Sequence, residues 1–120
     1  IDIRAPESQL VRVIANLLNN ALDAMHGREA RRVTIEAGTV PHDDAHKVRI
    51  TVTDTGPGIG ESLLDRLFQP FFSTKSAGKG LGLGLALSRD VVREMGGDLT
   101  AANGPDGGAV FTITLPAATS

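Results

Sequence analysis

The chain has no cysteine, which excludes disulfides and thiolate metal sites and is compatible with a reducing compartment. It also lacks an excess of positive charge: the formal net charge is −2, and lysine and arginine are scattered rather than clustered. Such a pattern makes no electrostatic footprint for nucleic acid or an anionic membrane, so any bound anion has to be held locally. No run approaches the ~20 apolar residues of a membrane span, and the opening IDIRAPESQ is not a signal peptide. These absences lead to the expectation of a soluble, cytoplasmic piece with no direct membrane contact of its own.

What is present is ordinary globular material, 120 residues with 41% hydrophobic and 22% charged side chains. That length suits one compact core and is too short for two, so residues 1–120 are expected to form one domain. The start on Ile1-Asp2-Ile3 reads as an apolar edge of structure already under way, hence as an excised part of a longer protein.

Pro6 and Glu7 open a helical pattern that runs to about Met25, with Leu10, Ile14, Leu17, Leu18, Ala21 and Met25 on one stripe and Gly27 closing it. Val33 to Ala37 and Val48 to Thr53 read as strands, the second by strict alternation, with a polar loop over 41–46 between them. From Asp54 a long glycine-rich stretch follows, carrying one short helical candidate at 62–68. Loops of this length are usually functional or disordered. A second helix is expected from about Leu83 to Met95, capped by Gly96-Gly97, and then a hairpin of Leu99 to Ala102 and Ala109 to Leu115. Strands grouped as hairpins with helices between the groups predict an α+β two-layer sandwich, its sheet covered on one face by helices.

Four constellations carry chemistry. Asn16, Asn20 and Asp23 share one face of the first helix beside the apolar stripe. Three asparagines in that helix, with Asn19, cost roughly 2 kcal/mol of propensity. They make either a solvated polar face or a source of hard amide oxygen for a hydrated magnesium ion. Asp54, at the head of DTGPGIG, falls by alternation on the inward face with Val48, Ile50 and Val52. A buried carboxylate needs N–H donors, and an adenine amino group would supply one. Asp-Thr-Gly alone reads as a turn, but Gly56, Gly58 and Gly60 at alternate positions permit close approach to a ligand and favour a site.

Third, GKGLGLGLAL over 78–87 runs straight into a helix, whose N-terminus attracts anions. It is either a flexible hinge or a phosphate cradle. It is not a Walker A loop, because Gly80 follows Lys79 where Ser or Thr belongs, and no strand precedes it as in a dinucleotide fingerprint. Fourth, LFQPFFSTK contains Phe68, Phe71 and Phe72, three of the four phenylalanines, which can anchor a loop. Its Lys75 is a solvated side chain or a counter-charge for terminal phosphates.

NLLNNALDA, DTGPGIG, PFFSTK and GLGLGLAL, in this order and spacing, resemble the N, G1, F and G2 boxes of the ATP-binding catalytic domain of bacterial two-component sensor histidine kinases, in the GHKL superfamily. No single box is specific, but the ordered set is, and it covers nearly the whole chain. The texture is similar to the nitrogen-regulation and dicarboxylate-transport sensor kinases. The resemblance implies the Bergerat fold, a mixed sheet under three helices with ATP between the helix layer and a lid at about 70–80. It implies that Asn20 binds Mg2+ with Asn16 nearby, that Asp54 bonds the adenine amino group, and that Gly56, Gly58 and Ile59 shape and line that pocket. Gly80, Leu81, Gly82, Leu83 and Gly84 would meet the phosphates. Many family members carry a basic residue where this chain has Asp23, so Lys75 is the candidate to supply that charge.

Related hydrolysing ATPases place a glutamate base at the position of Asn16. An amide cannot take a proton from water, so phosphoryl transfer to a protein is favoured over hydrolysis. The resemblance implies an acceptor histidine on a separate dimerisation domain, of the same or a partner chain, and a response regulator downstream. His26, His42 and His46 lack the acceptor's setting. The rival readings are an ATP-binding module without kinase activity, which the intact boxes disfavour, and a serine kinase of the anti-sigma-factor type, which Asn16 disfavours because that family usually keeps the glutamate.

Overall fold

The structure is a computed structural model, and it describes residues 7–25, 27, 29, 32–42, 45–60, 64, 66–68, 81–105 and 107–116. Helix α1 (Glu7–Ala24) turns Leu17, Met25, Val13 and Ala21 into the core. Leu10, Ile14 and Leu18 flank that stripe, half-buried against the core. The buried line is therefore centred on Val13-Leu17-Ala21, a slight rotation from the expected stripe that brings Val13 inside. Full burial of a side chain such as Leu17 contributes about 1.5–3 kcal/mol.

Strands β1 (Val33–His42) and β2 (Ala45–Asp54) form an antiparallel hairpin, with Val33 opposite Asp54 and His42 opposite Ala45. Most of the expected loop at 41–46 is thus strand. The polar composition of this stretch, with Pro41 in it, carries no apolar alternation and so reads as loop in the sequence. Strands β3 (Asp98–Asn103) and β4 (Ala109–Pro116) complete a sheet of order β1-β2-β4-β3, and every described pairing is antiparallel. The central strands carry the clearest alternation: Val48, Ile50 and Val52 of β2 and Ala109, Phe111, Ile113 and Leu115 of β4 are all buried. On β1, the outermost of the described strands, the equivalent Ile35, opposite Val52, is 47% exposed.

Helix α2 (Leu81–Glu94) begins two residues before the expected Leu83 and ends one before Met95. Glycine costs up to about 1 kcal/mol within a helix. Once Leu85, Ala86 and Val92 are seated in the core, however, extending the helix backwards by a few residues is inexpensive because nucleation is already complete. Its C-terminus is capped as expected, the Gly96 N–H bonding the Arg93 carbonyl at 3.0 Å and the Gly97 N–H the Val92 carbonyl at 3.1 Å. Both helices pack on the inward face of the sheet and against each other, giving the α+β two-layer sandwich with helices on one face. The short helical candidate at 62–68 and the expected lid at 70–80 lie largely outside the described residues. Within it, Phe68 packs against the core and its ring lies 4.9 Å below the Arg89 guanidinium of α2. No helix among the described residues is long and apolar enough to cross a membrane.

The junction of α2 with β3 is held by charge. Asp98 Oδ1 accepts from the Leu99 N–H at 2.9 Å and from Arg93 Nε at 3.1 Å, with Arg89 Nε at 3.6 Å. Partial burial pushes the Asp98 carboxyl up, but the Leu99 N–H, the Arg93 bond and the charges of Arg93 and Arg89 together outweigh it and hold it below the ordinary carboxylate value. A depressed folded pKa means that the stabilisation is complete above the unfolded value and lost as pH falls through the folded one. Asp98→Asn is accordingly expected to lower thermal stability at neutral pH by the ~0.2–1 kcal/mol of an exposed pair, and to have no effect in acid where parent and variant are both neutral. Melting curves at the two pH values check this.

Candidate functional site

β2 delivers Asp54 to the end of the central sheet on its inward face, where the side chain is 5% exposed. Its Oδ1 accepts the Gly56 N–H at 2.8 Å and the Ala109 N–H at 3.2 Å. The first bond is the two-residue reach by which aspartate shapes a turn; the second ties the carboxylate to β4. Both anchoring bonds fall on Oδ1, so among the described residues Oδ2 is the oxygen not used to fix the carboxylate to the backbone. Gly108 lies directly behind: a Cβ there would run into the Asp54 carbonyl and come within 3.2 Å of Oδ1, so only glycine lets the β3–β4 turn approach this closely. Thr55 ties the same strand end to the helix layer, its Oγ1 accepting the Arg32 N–H at 3.0 Å and its hydroxyl meeting Met25 Sδ at 3.3 Å.

Beyond Thr55 the backbone leaves the sheet through Gly56, which is buried, and through Gly58, at φ 81°. A Cβ on Gly58 would collide with the Gly107 carbonyl and sit 2.8 Å from Asn103 Oδ1. Next to it, Asn103 Oδ1 accepts the Ile59 N–H and Asn103 Nδ2 donates to the Ile59 carbonyl, both at 2.6 Å. Asp54, Gly56, Gly58 and Ile59 are therefore brought together as one unit, backed by the β3–β4 turn. Asn103 and Gly108, which lie between the two strands expected from the sequence, belong to this unit as well. A hydrogen-bonded pair separated by 44 positions leaves no periodic trace.

The second set of expected residues lies on the helices. Asn16 is half-buried and its Nδ2 donates to Ser88 Oγ of α2 at 3.0 Å. Ser88 itself is 2% exposed. Asn16 thus faces α2 rather than open solvent, and Ser88 is a second participant that its residue type did not announce. Asn20, one turn further along α1, is half-buried, whereas Asn19 and Asp23 are exposed. Among the described residues no group of three histidine or acidic side chains is placed to hold a metal ion. Asn20 carries a hard amide oxygen, a donor type that suits a cation keeping most of its water. Leu81, Gly82, Leu83 and Gly84 form the first turn of α2, where backbone N–H groups have no intrahelical partner and no acidic residue competes for them. Lys75 and Gly80 lie outside the described residues.

Comparison with known proteins gives a consistent result. The family model described as histidine kinase-, DNA gyrase B-, and HSP90-like ATPase matches residues 5–119. The chain is 49% identical over 119 residues to the two-component sensor PprA of Pseudomonas aeruginosa, covering 97% of this chain and 13% of that protein. It is 40% identical over 113 residues to the C4-dicarboxylate transport sensor protein DctB of the same organism, covering 94% of this chain and 18% of the relative. The chain therefore spans less than a fifth of these curated relatives. Among solved structures, the catalytic domain of histidine kinase ThkA superposes with a TM-score of 0.78 at 32% identity, covering 94% of this chain and 69% of that one. Full-length ShkA in complex with AMPPNP superposes with a TM-score of 0.75 at 30% identity, covering 99% and 25% respectively.

Proposed function

Since this chain belongs to the histidine kinase-, DNA gyrase B- and HSP90-like ATPase family, as an ATP-binding catalytic domain of the sensor histidine kinase kind, we propose that it binds Mg-ATP and donates the γ-phosphate to a histidine on a separate dimerisation domain. A response regulator would take the phosphoryl group from there. The observation that carries the reading is the buried Asp54 carboxylate, held through Oδ1 by two backbone N–H groups. A charged acceptor fixed so firmly at the edge of a core presents Oδ2 to a donor such as the adenine amino group. Gly56 and Gly58 keep the wall thin, and Ile59, half-buried, offers an apolar face to the base. The AMPPNP bound by ShkA, an ATP analogue, supports the same use of the fold.

At the other end of the nucleotide, the N–H groups of residues 81–84 and the helix dipole would hold the phosphates, with Gly80 and Lys75 completing that cradle. Asn20 would hold Mg2+, which would supply positive charge against the negative charge of the group being transferred. Phosphoryl transfer asks mainly for position and electrostatic stabilisation, which backbone donors and one amide can provide without a general base. Asn16, tied to Ser88, holds the place where a hydrolysing relative would need a carboxylate.

Calorimetric titration with ADP, with and without Mg2+, tests the reading. Asn20→Ala is expected to lose most of the Mg2+-dependent gain in affinity while leaving the magnesium-free binding within about twofold, because the amide acts at the phosphate end. Equal magnesium dependence in variant and parent would remove Asn20 from this role.

A further inference from the structure

We infer that Asn103 is the positioning residue for the base end of this pocket: its carboxamide holds Ile59, and through Ile59 the apolar wall, at a fixed distance from Asp54. The inference rests on the nucleotide reading of the site.

Asn103 ends β3, opposite Ala109, and its side chain engages both backbone groups of Ile59 at 2.6 Å. The pairing is the one a neighbouring strand would make. It can be made in one orientation of the amide only, because the oxygen must meet an N–H and the nitrogen a carbonyl. The stretch it grips has little else to fix it. Between Thr55, whose N–H bonds the Arg32 carbonyl, and Leu64, whose N–H bonds the Gly60 carbonyl, the described backbone makes no other backbone–backbone bond. Gly58 lies against the same amide, at the 2.8 Å a Cβ would have from Oδ1.

The turn that carries Asn103 is closed by two backbone bonds, the Gly104 N–H on the Gly108 carbonyl at 2.7 Å and the Gly107 N–H on the Gly104 carbonyl at 3.1 Å. At its far end Gly108 packs on Asp54, and the next residue, Ala109, donates to the Asp54 carboxylate. The same turn therefore touches Asp54, the proposed adenine acceptor, with one end and Ile59, the proposed wall, with the other. The separation of the two recognition elements is set by this turn and not by the glycine-rich loop, which could not hold it alone. Only a carboxamide offers a donor and an acceptor at peptide spacing from a side chain this short. Aspartate would keep the bond from the Ile59 N–H and set a second oxygen against the Ile59 carbonyl.

Both bonds are exposed to solvent, so water can replace them and their loss frees the loop without opening the core. The test measures ADP affinity, binding stoichiometry and amide exchange in the parent, Asn103→Ala and Asn103→Asp proteins. In Asn103→Ala the Ile59 amide is expected to exchange at least about tenfold faster while the Val52 and Phe111 amides are unchanged, and ADP is expected to bind about tenfold more weakly. Stoichiometry and magnesium dependence should be retained, which a merely unfolded fraction would not give. Asn103→Asp should keep the Ile59 amide protected and fall between the two in affinity. Unchanged Ile59 exchange in Asn103→Ala, or faster exchange with unchanged ADP affinity, overturns the role of Asn103. Failure of the parent to bind ADP overturns the nucleotide reading and this inference together.

Discussion

Asp54→Asn is expected to weaken ADP and ATP binding by roughly 10- to 150-fold, the equivalent of a charged hydrogen bond of about 1.5–3 kcal/mol. The direction of the effect follows from the anchoring. Oδ1 accepts from the Gly56 and Ala109 N–H groups, so an asparagine in this place has to keep its oxygen there. Its amide nitrogen is then forced into the position of Oδ2, where it meets the adenine amino group as donor against donor. The variant should fold, because the backbone anchors survive, and its melting temperature should change far less than its affinity. Isothermal calorimetry decides the matter, and equal affinity in variant and parent would take Asp54 out of the pocket.

The isolated chain is expected to turn over ATP very slowly. General-base assistance is typically worth about 10²–10⁴-fold, and the position that would supply it holds an amide. Asn16 is also not free to be replaced by a chance rearrangement, since its Nδ2 is engaged by Ser88 across the helix interface. Asn16→Glu is the informative variant. The Ser88 hydroxyl can rotate to donate to the new carboxylate, so the substitution is accommodated in hydrogen bonding, and hydrolysis should rise if the phosphates lie where proposed. Release of inorganic phosphate from purified protein is the readout. Steady turnover by the parent that disappears in Asp54→Asn would contradict the account, because it would locate hydrolysis in this pocket without the expected base.

The parts of the fold legible in the sequence were those written in a period. The alternation of β2 identified its buried face and carried Asp54 inward with it, and the three-to-four spacing of α1 located its buried side to within a small rotation. The full length of the β1–β2 hairpin was not legible, because the stretch from Pro41 to His46 is polar, contains a proline and carries no alternation to mark it as strand. The start of α2 was obscured by glycines whose low propensity is overridden by packing downstream. In the candidate site, Asp54, Gly56 and Gly58 stand out in the sequence because an inward acid and spaced glycines lie in one short stretch, whereas Ile59 enters only through the family resemblance. Asn103, Gly108 and Ser88 were not. Each acts through a contact made only when distant elements meet: a side chain imitating a strand, a missing Cβ, a hydroxyl inside a helix interface.

The central proposal is that this domain passes the γ-phosphate of ATP to histidine, and the direct measurement is the chemical stability of the transferred label. The chain is mixed with a histidine-bearing dimerisation domain and ATP labelled at the γ-phosphate, and the labelled protein is then exposed to acid. The account predicts label on the partner domain that is lost in acid, as a phosphoramidate is, and that at ATP concentrations below the variant's Kd forms roughly 10- to 150-fold more slowly with Asp54→Asn. Label that survives acid, as a serine ester does, or no label on the partner while Mg-ATP remains bound, would contradict it.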